Sequence, residues 1–319
     1  MAHIGMVIRN FRERCGLSRS ELSQHICTEK YLYLIETGKR SPSSHILYKF
    51  SDMLQEDLFQ YYRFLDCIDP VSVCHTVNGF NWCHQKGDYI KLKELNSKAK
   101  NMKDFKIAPW DTEILLNELS IQLFIQKEHE KCVTKLNQIL SDSSTQFVDL
   151  ASKARFYVLL STGHTILGNI EDAEKATFEA VQLIPDKAIM YHDQTHIAVH
   201  INALTSYYYS KNYQSVCMEG LRLLKYLQDS GIYDRILYIC FFVSFAFYHT
   251  GDFNNAFFYF KKGLYNGLTD YRPLDIYNIS LQDLYWPMME DSRADHALVK
   301  EFLKLYGTPG VDDGTGNET

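Results

Sequence analysis

Five short turns recur along the chain: Gly87-Asp88-Tyr89, Lys127-Glu128-His129, Gly168-Asn169-Ile170, Lys211-Asn212-Tyr213 and Gly251-Asp252-Phe253. Their first residues lie 40, 41, 43 and 40 apart. Three residues beyond each turn comes Leu92, Cys132, Ala173, Val216 or Ala256, and ten beyond it Ala99, Ile139, Ala180, Leu223 or Gly263. Small and apolar side chains at two fixed points let one helix lie close on the next. A period of this length predicts a solenoid of stacked helical pairs. Five pairs, with a helical cap over Ile276–Tyr306, account for nearly everything after residue 67. The Gly/Asp/Thr-rich tail, 307–319, has no periodicity and is expected to be disordered.

The first 66 residues do not follow this period. Leu17–Gly38, LSRSELSQHICTEKYLYLIETG, reads as two short helices about a tight turn. Ser18 with Glu21 three residues on makes a capping box, and Thr28 offers a second N-cap before Tyr31, Leu32 and Ile35. Gly38 ends that helix. Such short helices cannot bury their apolar faces alone. Ile4, Ile8 and Phe11 at helical spacing before them, and Ile46, Leu47, Phe50 and Leu54 after them, supply the missing walls. An aromatic segment, Leu58–Ile68, reads as a linker helix ending at Asp69-Pro70. The expected domains are therefore 1–66, 67–306 and the tail 307–319, and the fold class is all-α: a helix-turn-helix followed by a helical solenoid.

Charge separates the two parts. Residues 1–50 hold eight bases and four acids, so they carry +4 in a chain whose net charge is −6. A basic head on an acidic body suits a nucleic-acid module joined to something else. The eight cysteines show no C-x-x-C spacing and several sit in apolar helical runs, which reads as buried reduced thiols in a cytoplasmic protein. The longest apolar run, Ile236–Tyr248, is too short to span a bilayer.

The stretch Leu17–Pro42 resembles the repressor-type helix-turn-helix pattern at Leu17, Ser18, Glu21, Leu22, Ser23, Leu32, Ile35, Glu36, Gly38, Lys39 and Pro42. Arg19 stands where glutamine is common, Cys27 replaces the turn glycine, and Tyr33 and Leu34 replace residues that are usually polar. The phrases LGNIEDAEKATFEAVQLIP and TGDFNNAFFYFKKGLYNGL resemble tetratricopeptide repeats, with a period longer than that family's. Together, head and body resemble the peptide-sensing regulators of the Rap–Rgg–NprR–PlcR–PrgX group, and the LSQHIC wording is most similar to the PlcR-type members. That resemblance implies a homodimer, a double-stranded DNA operator, a short signalling peptide and control of transcription (quorum sensing). It also implies an ion pair between Arg12 and Glu36. The alternative is a protein-binding helical scaffold whose DNA head is weakened by Tyr33 and Leu34.

By the resembled pattern Glu29, Lys30 and Leu34 face bases, while Arg19 and Ser20 start the first helix of the motif beside the phosphates. Lysine donates to guanine, leucine meets a thymine methyl, and Glu29 accepts from cytosine. Tyr31 and Tyr33 either donate to phosphate or pack on the linker helix, and Arg40 belongs to the basic turn that follows. In the repeats, counting back from the small positions puts Asn78, Asn117 and Asn202 in one register. Tetratricopeptide domains that bind peptides often carry asparagines there, where the amide meets a peptide backbone through donor and acceptor alike. The same register places Arg155, Tyr208, Tyr238 and Tyr248 on or beside this wall.

Other chemistry finds little support. His192, His196 and His200 share one helix face but lack an acidic or thiol partner at a familiar spacing, so they read as histidines on a partly solvated face. Cys74-His75 and Cys83-His84 lie about 180° apart around one helix and cannot clamp one ion. No phosphate-binding, nucleophile or zinc-protease motif occurs, and the chain is expected to be neither an enzyme nor a cofactor binder.

Overall fold

The computed structural model describes residues 2–184, 193–232, 235–269 and 281–306; His192, residues 276–280 of the expected cap and the tail 307–319 lie outside them. Among the described residues the regular elements are all helical. The chain divides into two compact units, Met1–Ile121 and Gln122–Thr319.

In the first unit, helices α1 (Ile4–Arg14), α2 (Arg19–Ser23), α3 (Glu29–Glu36) and α4 (Ser44–Leu54) form the head. The capping box at Ser18 is complete: its hydroxyl accepts from the Glu21 amide at 3.1 Å, and Glu21 accepts from the Ser18 amide at 2.7 Å. Thr28 caps α3 and Ser43 caps α4. Ile4, Val7, Ile8, Leu22, Leu32, Ile35, Leu47 and Phe50 make the core. Gly5 lets α1 approach the backbone of α3, because a Cβ there would lie 1.8 Å from the Ile35 carbonyl oxygen.

The aromatic segment is a 3-10 helix, Leu58–Phe64, rather than an α-helix running to Ile68. Its side chains explain the tighter form. Leu58, Tyr61 and Phe64, three apart, all turn inward, which three residues per turn achieves and 3.6 does not. Tyr61 lies 5.5 Å from the Phe11 ring and donates its hydroxyl to Glu56 at 2.8 Å. Buried Asp104 then accepts from the Ile68 amide at 2.7 Å and the Asp69 amide at 3.2 Å. The first helical pair, α5 (Pro70–Lys86) and α6 (Tyr89–Ala99), therefore lies in the same compact unit as the head. α7 (Asp111–Phe124) runs across the division at Ile121.

The remaining helices are α8 (His129–Ser141), α9 (Leu150–Ile166), α10 (Ile170–Leu183), α11 (Asp193–Tyr209), α12 (Tyr213–Asp229), α13 (Ile236–Thr250), α14 (Phe253–Thr269), α15 (Leu281–Met289) and α16 (His296–Tyr306). All five recurring turns begin with a left-handed residue: Gly87, Gly168 and Gly251, but also Lys127 at φ 56° and Lys211 at φ 58°. The residues three beyond the turns, Leu92, Cys132, Ala173, Val216 and Ala256, are all buried. In the second unit Gly163, Gly220, Gly263 and Gly267 provide the close approaches; a Cβ on Gly220 would meet Val243 Cγ2 at 2.2 Å. The apolar run Ile236–Ala246 is buried on every side within this unit's core. No described helix is long and apolar enough to cross a membrane.

Candidate nucleic-acid interface and repeat surfaces

α3 owes its orientation to charge as well as packing. Leu32 and Ile35 are fully buried, and Glu36 at 4% exposure completes the inner stripe. A carboxylate that deep requires partners. Arg12 supplies them: its Nε donates to Glu36 Oε1 at 2.6 Å and its Nη2 to Oε2 at 3.3 Å, while Nη1 donates to the Leu17 carbonyl at 2.8 Å. One guanidinium thus ties α1 to α3 and to the loop before α2.

The outer stripe of α3 is open. Glu29, Lys30, Tyr33 and Thr37 are exposed, Tyr31 and Leu34 half-buried, and Lys39 and Arg40 extend the basic edge beyond the helix. Ser20 is exposed on α2. Tyr31 donates its hydroxyl to the Ser41 carbonyl at 3.3 Å, which ties it to the following turn. Arg19 behaves unlike a free phosphate ligand. Its Nε donates to Glu36 Oε2 at 2.6 Å, and its guanidinium lies 5.4 Å from the centre of the Tyr33 ring. Sequence reasoning placed Arg19 at the surface but did not see this contact. Arg19 lies 17 residues before Glu36 and on a different helix, so no local spacing signals the contact.

Two of the three asparagines, Asn117 and Asn202, face into helix seams. Asn117 is fully buried in the first unit; its Oδ1 pairs with His84 Nε2 at 2.8 Å and its Nδ2 donates to Asn96 Oδ1 at 3.1 Å. In the second unit Asn202, 9% exposed, accepts from Thr177 at 3.3 Å and donates to Thr162 at 3.4 Å, and Thr177 also meets Ser161 at 2.8 Å. Each asparagine reaches back to both helices of the preceding pair. Asn78, half-buried on α5, donates to Cys74 Sγ at 3.6 Å. Asn78 and Asn117 belong to one compact unit and Asn202 to the other.

The remaining wall residues divide by depth. Tyr238 is 3% exposed, with its ring 4.9 Å from Phe242. Tyr208 and Arg155 are half-buried, and Tyr208 packs edge-on against Phe242 and Phe245. Tyr248, also half-buried, donates to Asp291 at 3.2 Å. Arg293 pairs with Asp291 and lies 3.7 Å over the Phe253 ring. Those bonds hold the Asp291 carboxyl well below the usual carboxylate range, the Arg293 side chain being the largest cause.

The histidines of α11 differ from the partly solvated face expected of them. His196 and His200 are both buried, their rings 4.2 Å apart, with Tyr226 4.2 Å from His196. His200 Nδ1 is hydrogen-bonded to Glu219. Burial pushes that carboxyl up, but the His200 bond and nearby positive charge outweigh it and hold Glu219 below its ordinary value. Among the described residues no group of three or more His, Cys, Asp or Glu is placed to hold a metal ion. The cysteines are free, and burial pushes the thiols of Cys132 and Cys217 up to about 11 and that of Cys240 to about 12, so they stay protonated.

Residues 8–60 match the helix-turn-helix family. No curated protein matches the chain. Among solved structures, the chain shares its fold with Bacillus thuringiensis PlcR in complex with the peptide PapR7 and DNA. That likeness has a TM-score of 0.60 at 14% identity, and covers 94% of this chain and 99% of that one. ComR from S. thermophilus, in complex with DNA and its signalling peptide ComS, aligns at a TM-score of 0.47 with 15% identity, over 94% of this chain and 99% of that one.

Proposed function

We propose that the chain is a DNA-binding transcription regulator controlled by a short peptide, in which the head reads an operator and the repeats read the peptide. The observation that carries this reading is the division of α3. Its inner stripe is locked by the buried Arg12–Glu36 pair, and its outer stripe, Glu29, Lys30, Tyr33 and Thr37, is left to solvent beside Lys39 and Arg40. A helix so held, exposing polar and aromatic side chains next to bases, has the form that enters a major groove. PlcR, which shares the fold, was solved with both a peptide and DNA.

One head offers too little surface for tight operator binding, so the working form is a homodimer on paired half-sites. The peptide, extended and five to ten residues long, is assigned to the second unit, along the helices that carry Arg155, Asn202, Tyr208 and Tyr248. Arg155 takes a carboxylate, and the tyrosines give apolar surface with a polar tip. Asn202 contributes by holding α11 against α9 and α10 through Thr162 and Thr177, so a peptide that competes for its amide loosens that seam. Peptide and DNA then change one another's affinity by the same factor. The proposed chemistry is binding alone, without a catalytic step, and the compartment is the cytoplasm, where the DNA is.

The test uses duplexes selected from a randomised pool by the wild-type protein, measured at one fixed salt concentration. Lys30→Ala should weaken the preferred duplex by about 1–3 kcal/mol and relax one base position. Calorimetry with a library of five- to ten-residue peptides should find a binder whose affinity falls in Asn202→Ala. Failure to select any duplex, with a partner protein captured instead, favours the scaffold reading.

A further inference from the structure

Arg12 meets both carboxylate oxygens of Glu36, and a second arginine is bound to it as well. Arg19 donates its Nε to Glu36 Oε2, and its guanidinium carbon lies over the Tyr33 ring, 5.4 Å from the centre. Glu36 already holds one bidentate guanidinium, and the bond from Arg19 is added to it. Tyr33, in contrast, gains from the contact. It is 44% exposed and shares the outer stripe of α3 with Lys30 and Thr37, three and four residues away. A tyrosine on a solvated stripe samples several rotamers unless something holds it. A planar cation fixed at one edge by a buried carboxylate is a rigid platform for such a ring.

We infer that Arg19 is a positioning residue for Tyr33, and that Tyr33, held on that platform, is a specificity-determining residue at the DNA surface. The chain of contacts runs from buried Glu36 through the half-buried Arg19 guanidinium to the exposed ring. The ring then reaches the groove in one orientation, where its edge suits the methyl group of thymine and its hydroxyl a base edge or phosphate. Arg19 thereby acts through the tyrosine rather than as a charge on the backbone. The two departures from the helix-turn-helix pattern, arginine for glutamine at 19 and tyrosine for a polar residue at 33, become one device. This inference rests on the proposal that the head binds DNA.

A double-mutant cycle tests it, with the full-length chain and the duplexes selected by the wild type. Arg19→Gln and Tyr33→Ala should each weaken the preferred duplex by roughly tenfold, the upper range of a stacked cation. The double variant should lose no more than either single one. Arg19→Lys should not rescue, because an ammonium keeps the charge and lacks the planar face. The dependence of binding on salt should be unchanged in Arg19→Gln, whereas loss of a phosphate contact would lower its slope by about 0.9. Thermal unfolding controls for folding, and Arg12 still neutralises Glu36 in each variant. Additive losses, rescue by lysine, or a reduced salt slope overturn the inference while leaving DNA binding intact. A wild-type protein that selects no duplex overturns DNA binding itself, and this inference with it.

Discussion

Two glycines, one in each compact unit, mark how differently the parts are built. Gly5 brings α1 against the backbone carbonyl of Ile35, and the same pair of helices is cross-linked by Arg12 and Glu36. Gly220 brings α12 against the end of the Val243 side chain. A carbonyl in a helix cannot step aside, whereas a valine methyl moves with one torsion. The buried polar groups differ as well. The head ties the Glu36 carboxylate to two arginines, whereas the second unit holds a neutral seam, Asn202 with Thr162 and Thr177 and Ser161 with Thr177, and a buried histidine–carboxylate contact, His200 with Glu219.

The largest effect expected from breaking this contrast is in the head. Glu36→Ala leaves buried Arg12 with only the exposed carboxylate of Glu13 and should destabilise the head by about 3 kcal/mol, read by denaturant unfolding of the full chain. A loss under 1 kcal/mol would mean that packing alone orients α3. Gly5→Ala comes next: the clash is with backbone, so about 1–3 kcal/mol should be lost despite alanine's better helix propensity. Gly220→Ala should cost much less, within about 1 kcal/mol of the wild type, because the alanine gain offsets the shift of Val243. Equal losses at Gly5 and Gly220 would erase the distinction between the units.

The smallest effect is a pH dependence confined to the repeats. His164 is 9% exposed with Nδ1 unbonded, and burial holds its pKa below 6.5, with Asp172 and Lys175 as lesser and opposing influences. Its neutral form suits the fold, so its contribution is complete above pH 6.5. It is lost as the pH falls through the lower folded pKa, where the unfolded chain binds the extra proton. His164→Phe should flatten unfolding midpoints between pH 7 and pH 5. An unchanged slope would assign the dependence elsewhere, to His249 among others, whose imidazole is likewise held below its ordinary value by burial.

Much of this architecture was legible beforehand, and the limit is a physical one. Ser18, Thr28 and Ser43 announced their helices because a cap depends on residues within one turn. The five turns announced the repeats because a left-handed residue and a small side chain recur at fixed offsets. What stayed hidden depends on which way a side chain leaves its helix. Counting residues put Asn117 and Asn202 at equivalent heights, and they are equivalent, but both enter a seam. Tyr238 shares their side of the solenoid by number yet is sealed in the core. The Arg19–Tyr33 contact joins two helices across a turn whose geometry no local rule specifies.

The recurring turns carry a second rhythm. Glycine opens the first, third and fifth, lysine the second and fourth, and an asparagine bridge follows the first and third pairs. Neighbouring pairs are therefore not interchangeable; the repeating piece is a block of four helices, seen in α5–α8 and in α9–α12. For anyone shortening or grafting this chain, the natural cutting points fall every second pair. Removing α9–α10 alone would take Thr162 and Thr177 from Asn202 and leave its amide against α7–α8, whereas removing four helices keeps each asparagine with its own partners.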